Sequence, residues 1–185
     1  MHALPTNRYH PAESNWRGYH RFTAVELPAR IRPWLCDGGS LTQRLIKASN
    51  GDFAVKVLLQ QWLRPRLSEA RLLNMPHREW AIVREVTLLC RGEPWVFARS
   101  VIPASSLQGH LRRLRNFDNT SLGAMLFSDP SMRRAPFQLA SIYGNSPQIP
   151  KQLQQDHLLW GRRSRFELRG KPIMVSEIFL PAFRP

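Results

Sequence analysis

The spacing of apolar positions changes several times along the chain, and each change predicts an element. After an aperiodic opening of Pro, His, Asn and Arg, read as a loose arm over 1–22, Ile31, Trp34 and Leu35 recur at helical spacing. They predict a short helix over about 28–36, stopped by Asp37-Gly38-Gly39, with Pro33 as a point of kinking. Asn50-Gly51, between LTQRLIKAS and DFAVKVLLQQW, is the strongest short-range hairpin signal in the chain. Beyond it Phe53, Val55 and Val57 alternate with Ala54, Lys56 and Leu58 as a strand requires. The charged stretch 63–78, broken by Pro65 and Pro76, leaves room for one helical segment, LSEARLLN.

A long strand is expected over Trp80–Cys90, turning at Arg91-Gly92-Glu93-Pro94 and returning over Trp95–Ile102. Ser105 or Ser106 caps a predicted helix reaching about Arg115, with Leu107, Leu111 and Leu114 on one face. A second short helix is expected over Ser121–Phe127. The stretch Ser128–Gln155 carries Pro130, Pro136, Pro147 and Pro150 and reads as irregular. A last hairpin joins Ser164–Leu168 to Ile173–Leu180 around Arg169-Gly170-Lys171-Pro172.

Both later hairpins share one frame. Arg84, Arg91-Gly92-Glu93-Pro94 and Pro103 repeat at the same offsets as Arg162, Arg169-Gly170-Lys171-Pro172 and Pro181. A pair is too few for a repeat architecture, but two hairpins built alike predict a pseudo-symmetric antiparallel sheet. With helices set between hairpins, the fold class is α+β: an antiparallel sheet of hairpins with helices packed on it, forming one domain over 23–185.

Length and charge narrow the function classes. The 185 residues suit one domain, and 43% hydrophobic residues suffice for a core. Lys+Arg 27 against Asp+Glu 13 leaves +14, and 23 of the basic residues are Arg. Such a surplus favours anionic partners without choosing among nucleic acid, anionic lipid and small carboxylates. No apolar run approaches a membrane span, and the first residues lack the apolar stretch of a signal peptide, so a cytoplasmic protein that is not membrane-embedded is expected. Cys36 and Cys90 make neither a disulfide framework nor a zinc site, and the six histidines are scattered. There is no glycine-rich phosphate loop, no HExxH and no Gly-x-Ser-x-Gly elbow. Any catalysis is therefore expected to run without metal or cofactor.

Glu177 is the most informative position. Strand parity puts it on the face of Ile173, Val175 and Phe179, and Arg84 on the face of Val86 and Leu88. A charge on an apolar face must be paired, neutralised or turned to a ligand, because burying it alone costs several kcal/mol. Two readings stay open: a structural Arg84–Glu177 pair, or a pocket floored by the sheet in which Arg84 holds a carboxylate and Glu177 meets a ligand hydroxyl. Trp160-Gly161-Arg162-Arg163-Ser164-Arg165 is equally two-sided. It is either a phosphate-binding patch or a solvated strand start with Trp160 in the core.

SLTQRL at 40–45, Arg84-Glu85 followed by LLCRGEPW ending at Trp95, Ser121-Leu122-Gly123, LWGRRS at 159–164 and GKP followed by EIFLP at 177–181 occur together and in order. This set resembles the chorismate pyruvate-lyase family of ubiquinone biosynthesis, from about Pro28 to Pro181. The resemblance implies elimination of pyruvate from chorismate to leave 4-hydroxybenzoate, in a small occluded pocket, with no cofactor and no metal. It carries Arg84 over as the grip on the ring carboxylate and Glu177 as the partner of the ring oxygen at C4. The backbone amides of Leu41 and Leu122 carry over as ligand contacts, with Leu41 where the family often has Met. Whether Glu177 works protonated or ionised stays open.

The alternative is a non-enzymatic small-molecule-sensing domain of the same fold; residues 1–27 are too short and irregular for a DNA-binding segment. A nucleic-acid binder would want exposed aromatics among its arginines, whereas the tryptophans here fall mostly in apolar strands, so no nucleic acid is expected. The expected partners are the substrate and product alone, met by a monomer.

Overall fold

The computed structural model describes residues 13–76, 78–116 and 120–185. Its frame is one antiparallel sheet of eight strands, and the α+β expectation holds. These are β1 (Arg17–Gly18), β2 (Phe53–Leu63), β3 (Ala81–Cys90), β4 (Glu93–Pro103), β5 (Arg133–Arg134), β6 (Gln138–Tyr143), β7 (Leu158–Leu168) and β8 (Lys171–Phe179). They run β1-β6-β7-β8-β4-β3-β2 across the sheet, with β5 also paired to β7. Among the described residues four short α-helices complete it: α1 (Arg32–Leu35), α2 (Leu41–Ala48), α3 (Leu67–Leu73) and α4 (Leu122–Ser128).

The two hairpins predicted to be alike lie side by side at the centre, joined through β4 and β8. Each turn is two residues rather than four. Arg91 and Gly92 have φ of 55° and 73°, Arg169 and Gly170 of 50° and 75°, the left-handed pair that matches strand twist. One irregularity breaks the symmetry. A register shift at Leu88/Leu89 moves β4 by one residue, so Ser100 faces Arg84 across the ladder and Arg99 turns to the opposite face.

Asn50-Gly51 is not a hairpin. LTQRLIKA is α2, and Asn50 at φ 55° ends it: the Gly51 N–H donates to the Ile46 carbonyl at 2.8 Å and the Asn50 N–H to Lys47 at 3.2 Å. That is the paired helix-ending motif, whose first residue is left-handed as in a tight hairpin. The helix predicted up to Arg115 is instead two 3-10 stretches, Ala104–Ser106 and Gly109–Asn116, interrupted where Gly109 takes φ 53°. The irregular stretch 128–155 contains β6, a strand hidden by its prolines and short alternation. Pro33 falls in the first turn of α1, where its missing N–H costs nothing.

Within the arm expected over 1–22, residues 1–12 lie outside the described residues. Arg17–Gly18 pair with β6, and the Glu13 carboxylate accepts from the Leu67 and Ser68 N–H groups at the start of α3.

Both faces of the sheet are covered, which is why β3 and β4 are buried almost throughout. On one face two apolar clusters form under the helices. Val86, Leu88, Ala98 and Phe179 meet α1 and α2; Ile82, Ile102, Phe166 and Val175 meet α4 and the 3-10 leucines 107, 111 and 114. The other face packs Met174, Val83 and Val101 on Leu73 of α3, and Phe97 and Ile178 on Ile149. The site lies between the first two clusters.

Candidate functional site

Alternation in three adjacent strands turns Arg84, Val86 and Leu88 of β3, Ala98 and Ser100 of β4, and Val175 and Glu177 of β8 to one side. Together with Thr42 of α2 and Ser121, Leu122 and Gly123 at the start of α4, they line a small, largely enclosed cavity. Arg84 and Glu177 thus meet in one pocket, but as separate poles. Two strand spacings and two residues separate their backbones, roughly 12 Å. The structural Arg84–Glu177 pair is not formed.

Arg84 is 2% exposed, and its guanidinium donates to the Thr120 carbonyl at 3.1 Å. Burial pushes its pKa below the ordinary arginine value. Above it the N-termini of two helices converge. Ser40 caps α2 by accepting from the Gln43 N–H, Ser121 caps α4 by accepting from the Ala124 N–H, and Thr42 and Ser121 share a 2.6 Å hydrogen bond. Leu41 and Leu122 are each the first helical residue, so their N–H groups are among those a helix leaves without an internal acceptor. The backbone contacts implied at these two leucines therefore have a physical source. The close approach of the helices leaves little room at Gly123, whose added Cβ would sit 3.1 Å from the Thr42 hydroxyl.

Glu177 is held by a residue sequence reasoning missed. Arg162, directly across the β7–β8 ladder, donates from Nε to the Glu177 carboxylate at 2.6 Å. Arg162 is 1% exposed, and neither the phosphate-patch nor the solvated reading of the arginine run survives. Its neighbour Arg163 points the other way, to Gln138 and Ser68, and burial pushes it down to about 10. The signal was countable: a two-residue turn at Arg169-Gly170 sets Arg162 opposite Glu177, whereas a four-residue turn would set Ser164 there. Gly161 of the same motif leaves space for the neighbouring strand, since an added Cβ would lie 3.0 Å from Ile178 and 3.1 Å from the Glu177 carbonyl.

No group of three or more His, Cys, Asp or Glu able to hold a metal ion occurs among the described residues, nor is any described helix long and apolar enough to cross a membrane. A buried cation at one pole, a carboxylate at the other and apolar walls between are the features that a site for a small anionic molecule would need.

Residues 13–184 match the family model for chorismate lyase. A probable chorismate pyruvate-lyase of Aromatoleum aromaticum is 38% identical over 182 residues, covering 94% of this chain and 96% of the relative. One from Psychromonas ingrahamii is 42% identical over 167 residues, at 86% and 87%, and one from Nitrosospira multiformis 34% over 186 residues, at 98% and 97%. The chain belongs to the chorismate lyase family. In fold it also resembles the ligand-binding domain of a GntR-family transcriptional regulator from Bordetella bronchiseptica (TM-score 0.53, 19% identity, 71% of this chain and 86% of that one). The C-terminal domain of the histidine utilization repressor from Pseudomonas syringae is similar to the same degree (0.54, 12%, 72% and 94%).

Proposed function

We propose that this lyase converts chorismate to 4-hydroxybenzoate and pyruvate without metal or cofactor, supplying the aromatic acid for ubiquinone synthesis from the cytoplasm as a monomer. The observation that carries the reading is the polarity of the cavity: Arg84 and two helix N-termini at one end, Glu177 at the other, and apolar walls between. Arg84 grips the ring carboxylate, the Leu41 and Leu122 amides add hydrogen bonds, and Glu177 accepts from the hydroxyl on C4.

The reaction asks little of acid or base groups. The C3–O bond of chorismate breaks, the hydrogen on C4 passes to the methylene carbon of the enolpyruvyl group, and the ring becomes aromatic while the fragment leaves as pyruvate. Every atom is supplied by the substrate. The protein contributes by fixing the conformer in which that hydrogen faces that carbon, in a site closed to water. The net charge of +14 steers a doubly anionic substrate inward.

The test is purified, exhaustively chelated protein mixed with chorismate. Equimolar pyruvate and 4-hydroxybenzoate are expected at an undiminished rate. Activity lost on chelation and restored by one divalent ion would overturn the cofactor-free part. Tight binding without turnover would favour a sensing domain instead.

A further inference from the structure

We infer that Arg162 is the positioning residue of the site, fixing the Glu177 carboxylate at the angle from which it meets the ligand's C4 oxygen; this rests on the role proposed for Glu177. The geometry is that of a clamp anchored on backbone. Arg162 sits on β7 with its side chain sealed at 1% exposure, while Glu177 retains 17%. Nε donates to Glu177 at 2.6 Å, and the neighbouring nitrogen donates to the carbonyls of Trp34 at 2.8 Å and Asp37 at 2.6 Å. Those two carbonyls belong to the end of α1 and the loop after it, so the guanidinium stands in a frame that does not depend on ligand.

The frame is itself braced. Asp37 pairs with Arg44 of α2 at 2.8 Å, and Arg134 donates to the Gly38 carbonyl while its Nε reaches Ser164. Nε and Nη1 of Arg162 are thus assigned, Nη1 to two backbone carbonyls and Nε to the Glu177 carboxylate. A planar guanidinium can serve three acceptors in fixed directions, and a lysine ammonium at this depth cannot reproduce that fork. A purely structural tie would show itself in stability alone. A positioning role shows itself in how the site reads the atom that Glu177 touches.

The experiment compares affinity for 4-hydroxybenzoate with affinity for benzoate, which keeps the carboxylate and lacks the hydroxyl. Wild type should prefer 4-hydroxybenzoate, and Glu177→Ala should lose most of that preference. Arg162→Lys should lower the preference on the order of tenfold, with benzoate binding unchanged, and adding Glu177→Ala to it should bring no further loss. Arg162→Lys keeping the preference that Glu177→Ala loses would overturn the positioning role and leave the reading of Glu177 intact. Preference retained in Glu177→Ala would overturn both. If Arg162→Lys does not fold, Glu177→Gln is compared with Glu177→Gln/Arg162→Met. Loss of the remaining preference in the double variant supports positioning, and loss of thermal stability alone overturns it.

Discussion

Arg84 is a buried cation at one end of the pocket, so a carboxylate bound as proposed would meet a guanidinium already out of water. Arg84→Ala should weaken substrate and product together by about 2–4 kcal/mol, since the contact exists with both. Steady-state kcat/KM and product Kd measure it, and Arg84→Lys should recover only part. Unchanged product affinity in Arg84→Ala would remove the carboxylate role. Glu177 already receives a guanidinium N–H on one oxygen, which leaves the other to accept from the ligand. Glu177→Gln keeps one carbonyl acceptor and should lose on the order of tenfold in kcat/KM; Glu177→Ala should lose on the order of 10²-fold. If both variants, corrected for folded fraction by thermal melts, turn over like wild type, Glu177 is structural.

At the scale of elements, the same residue pair served two turn geometries, and tertiary burial chose between them. Asn50-Gly51 satisfies either a tight hairpin or a helix ending, since both want a left-handed residue where Asn50 stands. What decides is α2, whose Leu41 and Leu45 are buried against Trp34 and Val86. Reading Ser40 as a helix cap, with Gln43 three residues on, would have reversed the choice. Asn50→Ala places a Cβ-bearing residue with no local compensation at φ 55° and should cost about 1 kcal/mol, while Asn50→Gly should cost nothing. Chemical denaturation reads both, and an Asn50→Ala variant as stable as wild type would count against the assignment.

Across the whole molecule, the candidate pocket lies on one face of the sheet and a buried ionic network on the other. The face away from the pocket carries a buried network in which Arg99 donates to Glu69 at 2.7 and 3.0 Å and to Glu85 at 2.7 Å. Burial alone would push the Glu69 carboxyl up, but the hydrogen bonds and charge of Arg99, with Arg66, outweigh it and hold it below its ordinary 4.5. A carboxyl depressed on folding contributes stability that is present above its unfolded value and lost as pH falls through the folded one. Thermal stability should therefore fall steeply below about pH 4.5, and Glu69→Gln should be less stable at neutral pH with a flatter acid limb. A Glu69→Gln melt as acid-sensitive as wild type would locate the loss elsewhere.

The amino-acid sequence by itself determined the fold class, the two central hairpins, the face on which Arg84 and Glu177 lie, and the motifs that mark the family. All of these are local: alternation along a strand and the turn residues that close a hairpin act within a few positions. Only the tertiary structure decided that Arg84 and Glu177 are opposite poles rather than a pair, that Arg162 holds Glu177, and that Arg162 is the arginine of its run turned to the pocket face. Those facts depend on register across strands, where a difference of two residues in one turn exchanges Arg162 for Ser164. They depend too on the one-residue shift in β4 that sends Arg99 to the far face, a break in pairing set by how the whole sheet packs.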